Sequence, residues 1–363
     1  MSTKVLVAMS GGVDSSVAAA LLKEQGCLVT GITMCFSLPA GPSRKPRCCG
    51  PQGVEDAQRV ARVLDIPHHV LSFKDALERE VIAPFCTEYL RGRTPNPCIW
   101  CNERLKFGLL LSTARAMGFD RLATGHYARI IERAGLCQLM KGADIHKDQS
   151  YFLFRLGQDQ MRHLLFPLGG MTKPQIRDKA RVLRLPVADK AESQEICFLP
   201  DDDYRSFIAN RAAGDDSLDS SLLKPGEIVD REGKVLGMHK GAAFYTIGQR
   251  GGLGIALGSP QYVIRIDPRA NRIVVGPREQ ASARTFTATD IHWCADPVAD
   301  GADVTVKIRY NHAGVPAKLH VDGQTMRTTC AEPVFAATPG QSAVWYHGDE
   351  VLGGGTIDAA VSA

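Results

Sequence analysis

Two groups of residues in this chain combine types and spacings that can do chemistry. The first is Ser10-Gly11-Gly12-Val13-Asp14-Ser15-Ser16. Adjacent glycines let backbone N–H groups approach a phosphate, and a helix starting there adds unpaired N–H groups and the positive end of its dipole. Ser10, Ser15 and Ser16 supply hydroxyl donors, and Asp14 supplies a carboxylate suited to magnesium. Any strand-to-helix turn can use two glycines, so the whole string in its context, rather than the glycines, points to a nucleotide. It is neither G-x-x-x-x-G-K-[ST], since no Lys follows, nor G-x-G-x-x-G, since the glycines are adjacent.

The second group is thiols. Thr94-Pro95-Asn96-Pro97-Cys98-Ile99-Trp100-Cys101-Asn102-Glu103-Arg104-Leu105-Lys106-Phe107 has a rigid two-proline turn and predicts a helix starting close to Cys101, with Asn102 as its N-cap. A thiol of pKa about 8.5 is only a few per cent thiolate at neutral pH; a helix N-terminus and the nearby Arg104 and Lys106 would lower that value. Cys197, in Ser193-Gln194-Glu195-Ile196-Cys197-Phe198, is a third candidate. Cys27, Cys35, Cys86, Cys137, Cys294 and Cys330 read as small buried hydrophobes. The roles of Cys48 and Cys49, and of the neighbouring Arg44-Lys45-Pro46-Arg47, stay open. One C-x-x-C is half a zinc site, and no second pair completes it. On spacing alone, Cys101 is equally open to a catalytic and a structural reading.

Positioning these groups falls to the surrounding elements. Lys4–Met9, Leu28–Met34, His69–Phe73 and Arg121–Thr124 read as strands, and Val17–Leu22, Val54–Leu64, Asp75–Leu90 and Asn102–Met117 as helices. That alternation predicts an α/β domain with a parallel sheet covered on both faces. After about Pro200 the pattern changes to short alternating runs such as Gln261–Ile266, Arg272–Val275 and Asp303–Tyr310, which predict two small, mainly β domains. The expected division is 1–205, 206–278 and 279–363, with linkers at Gly214–Ser217 and Arg278–Arg284. A length of 363 residues suits two or three domains. At 44% hydrophobic and 23% charged residues the chain is neither disordered nor collagen-like. No apolar run approaches the roughly 20 residues that cross a bilayer. The first strand runs straight into Gly-Gly with no signal-peptide pattern, and 11 Cys in a long chain do not read as a secreted disulfide framework. The expectation is a cytoplasmic protein without membrane partners. A net charge of +4 permits nucleic-acid binding without requiring it.

The S-G-G-x-D-S string resembles the PP-loop of ATP pyrophosphatases, which split ATP to AMP and pyrophosphate. Over nearly the whole chain the motifs resemble those of the bacterial tRNA-specific 2-thiouridylase family. The carrying strings are Ala8–Ser15, Thr94–Pro97 with Cys101-Asn102, Ala123-Thr124-Gly125-His126-Tyr127, Lys147–Leu153, Ser193–Phe198 and Tyr245-Thr246-Ile247-Gly248-Gln249-Arg250. The resemblance implies a PP-loop catalytic domain using ATP and Mg2+, with Ala8, Met9, Ser10, Gly11, Gly12, Val13, Asp14, Ser15, Met34 and Gly125 at the nucleotide. It implies Cys101 as nucleophile and Cys197 as persulfide carrier. Asn96, Pro97 and Cys98 would lie near the target base, and His126, Lys147, Asp148, Gln149, Arg309, Tyr310 and Gln341 against tRNA. The partners implied are a tRNA anticodon arm and a protein donating persulfide sulfur.

The family's commoner pattern is D-x-x-C; here Cys98 stands at the Asp position. Two sulfur routes are therefore open: three thiolates (Cys98, Cys101, Cys197) on a [4Fe–4S] cluster with one iron left for sulfide, or a relay through Cys197 with Cys98 as an additional thiol. Either way the expected reaction is adenylation of the wobble uridine O2, then sulfur attack at C2. The rival classes are another PP-loop ligase or amidotransferase acting on a small metabolite, and a non-catalytic RNA-binding or metal-storage protein.

Overall fold

The structure is a computed structural model that describes residues 2–36, 51–191, 196–255 and 258–362. Cys48, Cys49, Arg44–Arg47 and Ser193–Glu195 lie outside the described residues.

The first domain is built on strands β1 (Lys4–Ala8), β2 (Leu28–Cys35), β3 (His68–Ser72) and β4 (Arg121–Ala123). β1 is an unbroken apolar run, and Val5, Leu6 and Val7 are fully buried, as a central strand covered on both faces requires. A hairpin follows, β5 (Ala128–Arg133) and β6 (Leu136–Lys141), and then the short β7 (Leu164–Leu165). The parallel sheet has the order β3-β2-β1-β4-β7. The chain winds outward from β1 in one direction and resumes at β4 on its other side, so the order reverses between β1 and β4. A crevice opens at such a switch point, beyond the carboxyl ends of the strands. Helix α1 (Val13–Glu24) leaves the end of β1, and α2 (Pro51–Val63) packs nearby.

The expected helix at Asn102–Met117 is corrected. The helix begins at Pro97, and its cap is Asn96, whose side chain accepts from the Cys98 N–H at 3.2 Å. Residues Cys101–Leu110 are wound as a π-helix before Leu111–Ala116 returns to α. Asn102 is no cap: it is buried, and its amide donates to the Phe152 carbonyl.

The two β domains have the expected character. Strands β8 (Gly226–Val229), β9 (Val235–His239), β10 (Tyr262–Asp267) and β11 (Arg272–Gly276) form a sheet of order β10-β11-β8-β9 around Ile228, Val263, Ile273 and Val275. Strands β12 (Ser282–Trp293), β13 (Asp303–Lys307), β14 (Val315–Asp322), β15 (Thr325–Phe335), β16 (Ser342–His347) and β17 (Glu350–Ser362) run antiparallel and close on themselves through β12–β17 pairing. Closure removes the sheet edges; Phe286, Leu319, Trp345 and Ile357 fill the interior. The Asp303–Tyr310 strand ends at Lys307, and the Arg278–Arg284 linker is a short helical turn followed by the start of β12. The β5–β6 hairpin, turned by Ala134 and Gly135 at positive φ, belongs to the first half of the chain, yet it extends the barrel's sheet through Met140 opposite Glu350.

Candidate active site

The crevice at the β1/β4 switch point is a cleft of about 210 Å³ lined by Ala8, Met9, Ser10, Asp14, Ser15, Met34 and Gly125, with Ile32, Lys106, Thr124, His126 and Gln149 completing it. Seven of the residues expected at a nucleotide thus meet in one place. The other three shape the turn behind them. Gly11 has φ +70, and a Cβ there would stand 2.2 Å from the Gly53 carbonyl oxygen, so only glycine fits. Gly12 ends the turn with extended φ/ψ and provides no side-chain cap, and Val13 is buried beneath α1. The Ser15 hydroxyl receives the Ser10 N–H at 3.1 Å, and the Ser16 hydroxyl donates to the Gly12 carbonyl at 2.7 Å. These bonds hold the loop open with the N-terminus of α1 behind it.

The charge around the loop comes from residues that sequence reasoning passed over. Asp14 accepts from the Tyr127 hydroxyl at 2.7 Å and from the buried Lys173 ammonium at 2.7 and 3.0 Å. Lys190 donates to the Gly11 carbonyl at 2.8 Å and to Asp56 at 2.5 Å. Burial works to raise the Asp56 carboxyl's pKa, but hydrogen bonds from Lys190, Arg59 and Gln52 outweigh it and hold the carboxyl below the usual range. Lys173 and Lys190 lie more than 150 residues from the loop they brace, and no local signal announces them.

Of the residues expected against tRNA, His126 and Gln149 line the nucleotide cleft. Burial, with the Lys106 charge beside it, holds the His126 imidazole's pKa well below the histidine range, and its Nδ1 lies 2.7 Å from the Thr124 hydroxyl. Gln149 accepts from the Tyr127 N–H. Asp148 is buried, and its carboxylate is committed to the Gly142 and Ser150 N–H groups and the Ser150 hydroxyl. It therefore shapes the 142–150 loop. A second cleft of about 630 Å³ opens on the far side of that loop, where Tyr310 is joined by Arg129, Lys141, His146, Lys307 and His312. Tyr310 packs on Phe152 with ring centroids 4.6 Å apart. Arg309 donates to the Phe335 carbonyl, and Lys147 is half-buried on the shared loop. Gln341, on the barrel, donates to the Thr94 and Pro95 carbonyls and so grips the turn before Asn96 and Pro97.

The thiols divide. Cys98 is exposed at the second helical position, in the first turn; Cys101 comes at the fifth and is half-buried. Of the charges expected to act on Cys101, Arg104 donates to the Glu80 carbonyl and lies over the Trp100 ring, and Lys106 donates to Asn102 at 2.9 Å and lines the nucleotide cleft. Cys101 and Cys197 pack against the same hydrophobic core. A cluster needs three sulfurs converging on one point. Among the described residues no three His, Cys, Asp or Glu side chains are so gathered. The residues as they stand do not fit a cluster. Magnesium is a different case: a single carboxylate lining a phosphate-sized cleft, as Asp14 does, suits an ion that arrives with a triphosphate. Among the described residues, no helix is long and apolar enough to cross a membrane.

Fold and site together define a PP-loop α/β protein carrying two β modules. Three family models match in succession: a tRNA methyl transferase HUP domain over residues 3–201, a tRNA methyl transferase PRC-barrel domain over 218–277 and an aminomethyltransferase beta-barrel domain over 283–357. The chain is 50% identical to the tRNA-specific 2-thiouridylase MnmA of Geobacter metallireducens, covering 99% of this chain and 98% of that one. It is 49% identical to the MnmA of Moorella thermoacetica, over 98% and 99% respectively. Among solved structures, a 4-thiouridine synthetase in complex with RNA and ATP is 15% identical, with a TM-score of 0.36 over 58% of this chain and 50% of that one. This chain belongs to the tRNA-specific 2-thiouridylase family.

Proposed function

We propose that this protein is a tRNA-uridine 2-sulfurtransferase that converts the wobble uridine of an anticodon arm to 2-thiouridine, consuming ATP. The observation that carries the reading is the helix from Pro97: it bears Cys101 and, five residues on, Lys106, which lines the nucleotide cleft with Ser10, Asp14, Ser15 and Gly125. One rigid element thus carries a thiol and a side chain that lines the nucleotide cleft.

The C2 carbonyl oxygen of uridine is a poor leaving group. In the proposed reaction it attacks the α-phosphorus of ATP, the bond to the β-phosphate oxygen breaks, pyrophosphate leaves, and the N3 proton passes to solvent. The Gly11–Ser15 turn and the α1 N-terminus bind the phosphates. Asp14 would hold magnesium, whose contribution is to neutralise phosphate charge. A persulfide on Cys197, loaded by a donor protein, then attacks C2 through its outer sulfur and expels AMP. Cys101 attacks the Cys197 sulfur, releasing the thiouridine, whose N3 regains a proton from solvent, and leaving a Cys101–Cys197 disulfide for a cellular dithiol to reduce. Two electrons from the two cysteines thereby reduce the sulfane sulfur to the thiocarbonyl level.

The family models' descriptions mention methyl transfer; a reaction of that kind would leave the thiols without a task. Cys101→Ser tests the proposal. It is expected to bind ATP and tRNA and to lose 2-thiouridine formation, and retained thiolation would end Cys101's role. The small-metabolite ligase predicts pyrophosphate exchange that is indifferent to tRNA.

A further inference from the structure

We infer that Lys106 is a further catalytic residue, binding the α/β-phosphate junction of ATP and stabilising the charge that develops there during adenylation. The inference rests on the thiolation reading and deepens its first step.

Charge supplies the first argument. Lys106 is the only Lys or Arg among the described residues lining the nucleotide cleft. His126 beside it is kept neutral by burial and by Lys106 itself. Lys173 and Lys190 brace the loop from other sides, and each is already matched by a carboxylate, Asp14 or Asp56. Lys106 instead donates to a neutral acceptor, the Asn102 amide oxygen at 2.9 Å. Its positive charge therefore remains available to a phosphate. Asn102, buried and fixed to the Phe152 carbonyl, aims the ammonium without cancelling it.

Winding supplies the second. In an α-helix, residues five apart point about 140° away from each other. Cys101–Leu110 is a π-helix, whose i→i+5 hydrogen bonds loosen the coil and bring residues five apart towards the same side. Cys101 and Lys106 are five apart. The loosened segment brings Cys101 and Lys106 nearer to one side than an α-helix would; Lys106 lines the nucleotide cleft, and Cys101 packs half-buried against the neighbouring core.

In the adenylation step, negative charge accumulates on the departing pyrophosphate as the Pα–O bond breaks. A fixed cation in a narrow cleft favours that transition state more than it favours bound ATP, so its loss should fall mainly on turnover. The test compares wild type, Lys106→Gln and Lys106→Arg in tRNA-dependent ATP–pyrophosphate exchange, with thiouridine formation and thermal melting measured alongside. Lys106→Gln keeps a donor for Asn102 and removes the charge. It is expected to lower kcat by about 10²–10³-fold while KM for ATP changes by less than about tenfold. Lys106→Arg, which restores the charge, is expected to recover at least tenfold of that loss, with both variants melting close to wild type. Exchange by Lys106→Gln within threefold of an active wild type overturns the assignment and leaves the thiolation reading intact. Equal losses in Gln and Arg variants also overturn it, since they would show that shape rather than charge matters. A wild-type enzyme whose exchange ignores tRNA overturns the thiolation reading itself.

Discussion

Gly125→Ala isolates the contact between the two strand ends that make the cleft. Gly125 follows β4, and a Cβ placed on it would stand 2.8 Å from the Ser15 nitrogen, 2.9 Å from the Asp14 carbonyl carbon and 3.1 Å from the Asp14 Cβ. Two of the three are backbone atoms of the first turn of α1, so no side-chain rotation relieves the clash. Ordinary contact begins near 3.4 Å, so the β4 end and the nucleotide loop must separate by about 0.6 Å. Overpacking of this kind costs about 1–3 kcal/mol. At roughly 2–4 °C per kcal/mol for a domain of this size, melting should fall by about 2–12 °C. Function should suffer more, because the displaced Ser15 N–H belongs to the turn proposed to bind the phosphates. A misplacement approaching 1 Å costs on the order of 10²-fold, so about tenfold or more is expected here in kcat/KM for pyrophosphate exchange. Gly170→Ala is the control, an exposed position where an added Cβ meets nothing within 4 Å. If Gly125→Ala melts and exchanges like Gly170→Ala, the close approach of β4 to the loop does not organise the cleft.

Three further outcomes follow from the geometry. Lys173→Met leaves Asp14, whose side chain is 31% exposed, without its counter-charge; the expected destabilisation is about 1–3 kcal/mol, less than for a fully buried pair. Asp14→Asn in the same chain should recover at least 0.5 kcal/mol of it, measured by chemical denaturation, and strict additivity would refute the coupling. Burial pushes the thiols of Cys86 and Cys330 up to about 11 and that of Cys294 to about 12, whereas Cys98 is exposed. Iodoacetamide at pH 7.5 followed by peptide mass spectrometry should label Cys98 in the native protein, and Cys86, Cys294 and Cys330 only after unfolding. Burial also holds His68, His126, His239, His292 and His312 below the ordinary 6.5. The unfolded chain then binds more protons, so their contribution to stability is complete above about pH 6.5 and is lost as pH falls through the lowered values. Melting temperature should drop between pH 7.5 and 5, and less steeply in His126→Gln; an equal slope would show that His126 titrates normally.

What could be read beforehand follows from the range over which each feature is determined. The strand at Lys4–Ala8 is a local apolar run, and Gly11 is confined by its own φ, so the nucleotide loop was legible from a few adjacent residues. The hairpin at 128–141, turned at Ala134-Gly135, was not read from the sequence, because the surrounding βα alternation obscured it. Nothing in those residues indicates that Met140 will pair with Glu350, 210 positions away. The same limit applies to Lys173 and Asp14: a charge at residue 173 acquires meaning only when the chain returns to residue 14. The helix at Cys101 is the instructive case, because its error was local. Pro97 and Asn96 are a stronger start signal than Asn102, since proline suits the first helical position and the asparagine before it can cap. Moving the start from Asn102 to Pro97 transfers the N-terminal amides from Cys101 to Cys98. The widened spacing of Leu105 and Leu110, five apart and both fully buried, is the trace that the π-helix leaves in the sequence. A helix that buries residues at intervals of five also carries Cys101 and Lys106 round together. The packing that produces the winding therefore shapes the element that brings Lys106 to the nucleotide cleft and carries Cys101 at its start.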